Sequence, residues 1–470
     1  MKKRLVLLYL FHCLLFSKAL FAYIPCGSKG IQDTLVSKII IGKILISGLH
    51  RTKPWVVLRE LSFAEGDSLQ LPADAELLKN RNRIFNTRLF TTVEVTLQND
   101  TVHIALKERW YTYPIPVIDL ADRNFNEWWQ VRNHDIGRVN YGLDFTQNNV
   151  RGRNETLKLY LQGGFNKKAE AKYIIPYIDK NRKLGFAAAV SYIVDRQVGY
   201  QTKNNYLMFT EIEANGRYRF STSATVFHRN KFYQTHYLSL GYYANQIPDT
   251  IVKLNPDYFL ADKTRQQFLS LQYSWVNDHR DIAYYPLKGY YLAGSISKIG
   301  LTTKEDIDMW SAYLDAAWYR HLGKKWYSSI SFTQKISTPR QQPYMYARAL
   351  GYNAYYVSGY ELYVVDGQYF SLAKINLRNR ILSFEKSFRF IPIKQFQHIP
   401  LQIYLRAYSD GGISIDNSGL TGNAALANQF LWGNGLALDF VTYYDTVLRI
   451  EYSINKNLQR GFYLHYKSAF

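Results

Sequence analysis

The chain has 470 residues, with 58 Lys or Arg against 37 Asp or Glu, so its formal net charge is +21. Hydrophobic residues make up 47% of the sequence and Tyr occurs 40 times, whereas Cys occurs only twice. This composition is too apolar for a disordered chain and too poor in Cys for a disulfide scaffold. A mean hydropathy of −0.27 also argues against a bundle of membrane helices.

The first 22 residues have the three parts of a secretory signal peptide. A basic cluster at 2–4 precedes an apolar run at 5–16, and the small residue Ala22 follows. We expect cleavage after Ala22; the alternative is an uncleaved membrane anchor, although the run is shorter than the roughly 20 residues of a spanning helix. Cleavage removes four basic residues, which lowers the net charge from +21 to +17, and leaves Cys26 as the single cysteine.

After an N-terminal segment at residues 23–37, residues 38–110 are predicted to form a small α+β domain. The β-branched run Ile39–Ile46 predicts a strand, and Pro54 suits the first turn of a helix. Asp74 favours the start of a second helix. The spacing of four apolar residues predicts that they share one face of this helix: Leu77, Leu78, Ile84 and Phe85.

Two alternating runs follow this second helix. Val93–Leu97 and Val102–Leu106 flank the turn residues Asn99-Asp100, which predicts a β-hairpin. The predicted order of the domain is therefore strand, helix, helix, strand, strand. A linker is expected at residues 111–136.

From residue 137 to residue 470 the helical period largely disappears and alternation takes its place. In one stretch Leu401, Ile403 and Leu405 alternate with Gln402, Tyr404 and Arg406. Similar alternation occurs at 217–226, 269–275 and 448–454. Each such segment predicts a strand with one apolar and one polar face.

Two architectures fit many alternating strands: a soluble sandwich with its apolar face inward, or a membrane barrel with that face outward. The barrel is favoured because the segments recur over more than three hundred residues and because aromatic pairs such as Tyr284-Tyr285 lie near strand ends. The alternating run at 462–470 also ends on Phe470, as expected if the sheet closes on its last strand. We therefore predict a mostly β protein whose transmembrane antiparallel barrel has about sixteen strands. An even number places the small domain and both barrel ends on the periplasmic side, with long external loops near 245–263, 337–366 and 410–430.

Several segments then resemble the BamA/TamA-type outer-membrane assembly and translocation family, in a short form with a single POTRA (polypeptide-transport-associated) domain. The element order at 38–108 resembles a POTRA domain, and residues 81–90 are similar to its second helix running into its second strand. A recurrent barrel segment is matched at Asp278, Arg280, Asp281, Pro286 and Gly289. The closing segment from 433 to 470 is also similar.

One departure from the family concerns a loop that folds back into the barrel. The resemblance implies a Val-Arg-Gly-Phe/Tyr motif there, whose Arg meets acidic residues on the inner wall. Here the motif is Val357, Ser358, Gly359 and Tyr360, and Ser cannot supply the charge or the fork of donors of a guanidinium. Either another basic residue such as Arg348 takes that place, or the loop is held less tightly.

The resemblance implies a protein that inserts or translocates polypeptides and is not an enzyme. No phosphate-binding Gly loop, paired-His metal motif or nucleophile elbow occurs in the sequence, so no cofactor is expected. The expected partners are unfolded outer-membrane or secreted polypeptides, the lipid bilayer, and periplasmic or lipoprotein accessory subunits. Clients would add to a sheet edge formed by Val93, Glu94, Val95, Thr96 and Leu97.

The same resemblance implies a weak barrel seam that templates client hairpins. We expect it between a first strand near 139–145 and the last strand, which carries Gly461, Phe462, Leu464, Tyr466 and Phe470. The expected location is the bacterial outer membrane with the POTRA domain in the periplasm, where nucleic acid is not a partner.

Two other functions fit the residues. Basic side chains opposite the apolar strand faces could line the lumen of an anion-selective diffusion channel, with the POTRA domain as a docking module: Arg217, Arg219, Lys374, Arg378 and Arg449. A soluble secreted β-rich binding protein is the remaining alternative.

Overall fold

The computed structural model describes residues 37–120, 133–212, 216–352, 355–388, 390, 397–417, 425–442 and 444–467. The expected signal peptide and Phe470 lie outside these residues.

The first part of the described chain is a small unit of helices and short sheets, here called the N-terminal unit (residues 38–110). In its three-stranded sheet the strand at 43–47 is parallel to the strand at 101–108, which is antiparallel to the strand at 90–98; a separate pair joins 38–40 to 68–70. Its helices cover the sheet and bury Val57 and Ile84 against Val102 and Ile104. The elements are β1 (Lys38–Ile40), β2 (Lys43–Ser47), α1 (Pro54–Leu58), β3 (Ser68–Gln70), α2 (Asp74–Asn86), β4 (Phe90–Gln98) and β5 (Thr101–Glu108).

Two details of this unit differ from the sequence prediction. The single strand expected at 39–46 is divided, because Ile41 turns into the core and the amide of Gly42 donates to the carbonyl of Asp100 at 2.8 Å. Leu78 does not share the buried face of α2 with Leu77 and Ile84. Its side chain is 55% exposed, because it points along the side of the helix toward the free edge of β4.

The remainder of the chain is dominated by one antiparallel sheet of sixteen strands, in which each strand pairs with the next sheet strand along the chain. The predicted mostly β fold with a sixteen-stranded antiparallel barrel sheet is confirmed. The sheet strands are β6 (Thr112–Leu120), β7 (Val139–Val150), β8 (Glu155–Gly164), β9 (Lys167–Ile175), β10 (Leu184–Asp195), β13 (Arg217–Asn230), β14 (Gln234–Gln246), β15 (Arg265–Asp278), β16 (Gly289–Ile299), β17 (Met309–Gly323), β18 (Trp326–Thr338), β21 (Tyr369–Ser387), β22 (His398–Ile415), β23 (Phe430–Thr442), β24 (Val447–Asn455) and β25 (Arg460–Lys467).

Smaller elements occupy the connections between these strands. The hairpin β11 (Gln197–Lys203) and β12 (Tyr206–Glu211) joins β10 to β13, and the helix α3 (Asp249–Leu254) joins β14 to β15. A short pair, β19 (Arg348–Leu350) and β20 (Val365–Asp366), lies within the long connection between β18 and β21. No helix in the described ranges has both the length and the apolar character that crossing a membrane requires.

The sheet begins earlier than the sequence predicted. Residues 111–136 were expected to be a linker, but β6 lies within them and pairs with β7 from Thr112 opposite Gln147 to Leu120 opposite Val139. Pro114 and Pro116 hide this strand in the sequence, because proline removes a backbone donor and is excluded from central strands. An edge strand tolerates proline on its open side, and β6 is the edge of this sheet.

Burial along the strands is inverted relative to a soluble protein. In β22, Leu405 is 43% exposed whereas the next residue, Arg406, is only 5% exposed. Exposed apolar residues recur on the same outer face of other strands, among them Leu238, Leu240, Trp310 and Leu314. The sheet therefore encloses its polar face and presents its apolar face outward, as a membrane barrel does.

Among the described residues, five chain turns of the barrel meet the N-terminal unit. At one of them the backbone amide of Lys53 donates to the carbonyl of Gly152 at 2.9 Å, and the side-chain amide of Asn149 donates to the hydroxyl of Thr52 at 2.8 Å. Gly152 has a φ of +73°, and a Cβ there would lie 2.0 Å from the carbonyl oxygen of Arg51. Only glycine allows this close approach. The other turns contribute Arg182, Arg229, Asp281 and Asp445.

The most buried of these contacts is an ion pair. The guanidinium of Arg109 donates to both carboxylate oxygens of Asp445, at 3.1 and 3.3 Å, and the two side chains are 5% and 3% exposed. A second pair joins Glu60 of the N-terminal unit to Arg229 at 2.7 Å. These contacts fix the N-terminal unit against one end of the barrel.

We expect Asp445→Asn to loosen this junction, because it leaves the buried Arg109 without a counter-charge. Breaking one partner of a buried pair costs about 3–5 kcal/mol. Hydrogen exchange of the Arg109 amide, which donates to the carbonyl of Leu89 at 2.9 Å, is expected to quicken roughly a hundredfold. The control is Asp308→Asn, whose pair with Lys298 is exposed and worth less than about 1 kcal/mol. Equal exchange rates of the Arg109 amide in the two variants would show that the buried pair does not stabilise this junction.

Candidate functional site

The strand predicted to bind clients is an edge strand. The order β2-β5-β4 leaves the outer side of β4 without a partner strand among the described residues. Val93, Glu94, Val95, Thr96 and Leu97 all lie on this strand. Its outer backbone N–H and C=O groups are therefore available to pair with another chain.

Helix α2 lies beside this edge, and the two elements form an open groove of about 800 Å³, here called the edge groove. Leu77 and Leu78 supply an apolar wall on the helix, while Val95 and Leu97 supply one on the strand. The guanidinium of Arg81 donates to the carbonyl of Val93 at 3.2 Å, which ties helix and strand together at one end. The groove combines free backbone groups with apolar surface.

The start of α2 is held by a polar contact. Burial alone raises the pKa of Glu76, but hydrogen bonds from Ser62 and Lys79 outweigh it, so that the pKa lies below its ordinary value. An ionised carboxylate in the first turn also complements the helix dipole. The helical wall of the edge groove is therefore fixed in position.

The loop motif predicted to fold inward does lie inside the barrel. Val357, Ser358 and Tyr360 are buried. Gly359 has a φ of +84°, and its carbonyl accepts a hydrogen bond from the Asn455 side chain at 2.8 Å. A Cβ at Gly359 would lie 2.9 Å from the Cβ of Asn455, so the loop packs closely against the end of β24.

Ser358 contacts the acidic wall through its hydroxyl. This hydroxyl and the backbone amide of Ser358 both donate to Oδ2 of Asp410 on β22. The cation beside Asp410 is Lys374 on β21, whose Nζ lies 3.3 Å from the same oxygen. Arg348, which the sequence suggested as a substitute, lies instead on β19 with its guanidinium over the ring of Tyr352 at 5.2 Å. The positive charge has thus moved from the loop to the barrel wall.

The basic residues predicted to line the lumen are all in contact with partners. Arg217 and Arg219 both bind Asp195, at 2.6 and 2.9 Å, and Arg449 binds Asp439 at 2.8 Å. The guanidinium of Arg378 donates to the carbonyl of Pro286 at 3.0 Å. Together with the pair of Lys374 and Asp410, these contacts neutralise or satisfy the inner cations.

The family barrel motif forms the turn between β15 and β16. Asp278 and Arg280 make a 2.6 Å ion pair, and Asp281 accepts the backbone amides of Ile282 and Leu287 at 2.8 and 3.0 Å. Gly289 closes the turn with a φ of +99°. The carbonyl of Asp281 accepts a bond from Asn86 at the end of α2, so the motif connects the barrel to the helix of the edge groove.

Two aromatic contacts extend from this turn. The ring of His279 is stacked between Tyr233 and Tyr290, with centroids 3.9 and 4.6 Å away, and burial lowers its pKa. On the inner side, the hydroxyl of Tyr285 donates to Asp439 at 2.8 Å. The turn is therefore linked to the charged interior as well as to the N-terminal unit.

The two edges of the barrel sheet are β6 and β25. Gly461, Phe462, Leu464 and Tyr466 lie on β25, with the three larger side chains exposed. The opposing edge is Thr112–Leu120 and not the predicted strand near 139–145, which is second in the sheet. Within the described residues no ladder joins β6 to β25.

Sequence reasoning missed Asp410 and Asp439 as the acidic partners of the inner wall. The sequence could have predicted that both side chains face the barrel interior, because both fall on the polar side of alternating strands. Their partners depend on register, which sets Lys374 opposite Asp410 and Asp439 opposite Arg449.

The comparisons with known proteins agree with this geometry. Residues 149–368 match the family model of the Omp85 superfamily domain. The family resemblance predicted from the sequence is thereby confirmed.

Solved structures show the same fold at low identity. BamA from Haemophilus ducreyi lacking POTRA domains 1–3 has a TM-score of 0.52 and 15% identity, over 91% of this chain and 84% of that chain. CdiB from Escherichia coli has a TM-score of 0.50 and 11% identity, over 94% and 91% of the two chains. None of the curated proteins matches the sequence.

We expect Lys374→Met to release the inward loop, because Asp410 then remains buried without a cation. Amides at 357–361 should exchange roughly tenfold faster or more. Lys298→Met, which removes the partner of an exposed Asp308, should leave them unchanged.

A second variant, which moves the positive side chain from the barrel wall back to the loop, makes this test more specific. The double variant Ser358→Arg/Lys374→Met returns the cation to the loop, as in the family motif, and should recover much of the lost protection. Protection that is equally low in the single and double variants would show that the cation beside Asp410 does not hold the loop.

Proposed function

We propose that this protein inserts or translocates polypeptides at the outer membrane, and that the N-terminal unit is a periplasmic POTRA domain that binds clients at the edge groove. The open edge of β4 is the observation that carries this proposal. A client segment in extended conformation would pair its backbone with β4 and place alternate apolar side chains against Leu78 and Val95. The Omp85 domain supports the general role.

The second part of the proposal concerns the barrel seam. Pro114 and Pro116 are two residues apart, so their nitrogens lie on the same side of β6. Because β6 pairs with β7 along its whole length, we infer that this side faces β25. The seam then lacks two backbone donors, which would make it easier to separate and to pair with a client strand.

The work would come from binding and strand pairing, without enzymatic chemistry or a catalytic cofactor. Periplasmic or lipoprotein accessory subunits would supply or receive clients. The charge pairs inside the barrel argue against the alternative of an anion-selective channel, since Asp195, Asp410 and Asp439 neutralise the cations that such a channel requires.

A photoreactive amino acid at Thr96, an exposed position on the free edge of β4, tests client capture. We expect cross-links to other outer-membrane barrels during their assembly, because the edge groove lies within reach of this side chain. The matched control is Lys43, which is also exposed and lies on β2, the other edge of the same sheet.

Cross-links of equal yield at Thr96 and Lys43 would contradict capture at the edge groove alone. Depletion of the protein tests the wider role. If every other barrel kept its level in the outer membrane after depletion, the insertion proposal would fail.

A further inference from the structure

Three side chains that commonly bind metals converge between the inward loop and the last two strands. Glu361 follows the loop motif directly, Glu451 lies on β24 and His465 on β25. One ligand atom from each lies within 4.8 Å of the other two. The three come from separate elements, so the fold and not the local sequence brings them together.

The carboxylates of this cluster have oxygens without hydrogen-bond partners. Glu451 is 2% exposed, and Arg406 binds its Oε1, whereas its Oε2 accepts no hydrogen bond and faces Nε2 of His465 at 3.7 Å. Both oxygens of Glu361 are likewise buried and make no hydrogen bond of normal geometry, although the Tyr463 hydroxyl and the Gly359 amide lie near them. Buried carboxylate oxygens in this state are costly unless a cation compensates them.

The nearby cations are occupied by other acids. Arg449 lies 2.8 Å from Asp439 and 3.4 Å from Oε1 of Glu451, and Arg406 lies between the same two acids. Lys374 pairs with Asp410. Two arginines thus balance Asp439 and Glu451, and the charge of Glu361 remains to be balanced.

We propose that Glu361, Glu451 and His465 form a divalent metal site for which Zn²⁺ is the best-suited ion. Two carboxylates and one imidazole are a ligand set that zinc accepts, with water at the fourth position. Zinc bonds of about 2.0–2.1 Å give ligand separations of roughly 3.3 Å, close to the 3.7 Å between Glu451 and His465. The bound metal fastens the inward loop to β25, the strand at the open edge of the barrel.

Titration of the full-length protein in detergent with ZnCl₂ tests this site, with CoCl₂ as a spectroscopic probe. We expect one equivalent of Co²⁺ to give the visible absorption of tetrahedral coordination. Glu361→Gln and His465→Asn should each weaken Zn²⁺ binding by about tenfold or more. The control His321→Asn removes a histidine of β17 that contacts the carbonyl of Lys324 and the ring of Tyr327, and it should bind Zn²⁺ normally.

Heat-modifiable gel migration checks that each variant is folded. Absence of saturable Zn²⁺ binding to the wild-type protein would overturn the proposal, as would folded Glu361→Gln and His465→Asn proteins that bind like wild type. Glu361 would then be a carboxyl group held by its neighbour Tyr463.

An independent observation concerns the hairpin of β21 and β22. The neighbouring strand β18 pairs with β21 only as far as Asn379, and β23 pairs with β22 only from Leu401 onward. Residues 382–387 of β21 therefore pair only with β22 and project past the end of the adjacent β18. We call residues 382–387 and 398–403 the hairpin extension.

The hairpin extension keeps the two faces of the barrel. Leu382 and Phe384 pair with Ile403 and Leu401, on the same face as the lipid-facing Leu405. Ser383 and Glu385, opposite Gln402 and Pro400, form the polar face. Leu382 and Phe384 are each 43% exposed, so the apolar outer surface continues beyond the end of the neighbouring β18.

We infer that the outer face of the hairpin extension lies in the interfacial layer of the phospholipid leaflet on the side of the N-terminal unit. Its continuity with the lipid-facing surface argues for a bilayer as the partner. Lys386 lies on the same face, two residues beyond Phe384, where its ammonium can meet anionic headgroups while its stem stays on apolar surface.

Environment-sensitive NBD labels on single cysteines test this placement. In a background with Cys26→Ser and without the signal peptide, Phe384→Cys and Ser383→Cys place the label on opposite faces of one strand. The protein is reconstituted in vesicles of phosphatidylethanolamine and phosphatidylglycerol, with or without brominated acyl chains. We expect brominated lipid to quench the label at 384 several-fold more than the label at 383. Equal quenching at both positions, or none at 384, would overturn the inference and favour a protein partner at this face.

Discussion

The structure depends on the inverted burial of its strands. Because the outer face of each strand carries apolar side chains, the other face, with its arginines, lysines and acids, must be enclosed by the sheet. Enclosed charges are stable only when they are paired. The interior is accordingly a network in which Asp195, Asp410, Asp439 and Glu451 each bind a basic residue. A high positive charge over the whole chain is thus compatible with a barrel whose described interior is largely balanced.

The inward loop is part of this network and not an addition to it. In the family motif an arginine carries the charge on the loop, whereas here Ser358 supplies hydrogen bonds and Lys374 supplies the charge from the adjacent strand. The electrostatic requirement at Asp410 is met although the motif residue differs. The turn at 278–289 is connected to the same network. Its Tyr285 donates a hydrogen bond to Asp439 inside the barrel, and its Asp281 carbonyl accepts one from Asn86 outside the barrel. Hydrogen bonds and ion pairs thus connect the inward loop, the barrel wall and the N-terminal unit.

Much of the fold followed from local patterns in the sequence. Period-two alternation at 401–406 predicted which side of the strand faces outward, because strand geometry fixes this independently of the neighbours. The second helix was found from Asp74 and from its buried Leu77 and Ile84. Local patterns do not predict properties that depend on residues distant in the sequence. Strand β6 was missed because its two prolines are acceptable only at an edge, and the edge is known only once the whole sheet is assembled.

The partners of the inner charges also escaped the sequence prediction, for a physical reason. Whether Lys374 or Arg348 meets Asp410 depends on the register of β21 against β22 and on the path of a long connection. The edge groove was predicted only in part: the strand was identified, but the exposed Leu78 that completes its apolar wall was assigned to the buried face of α2.

Conductance of the purified protein in planar bilayers tests the central claim, that the polar interior is filled by paired charges and the inward loop. The wild-type protein should show only small or brief currents without strong anion selectivity. A large, steady and anion-selective current through the wild-type barrel would contradict the claim, because it requires an open lumen lined by unpaired cations.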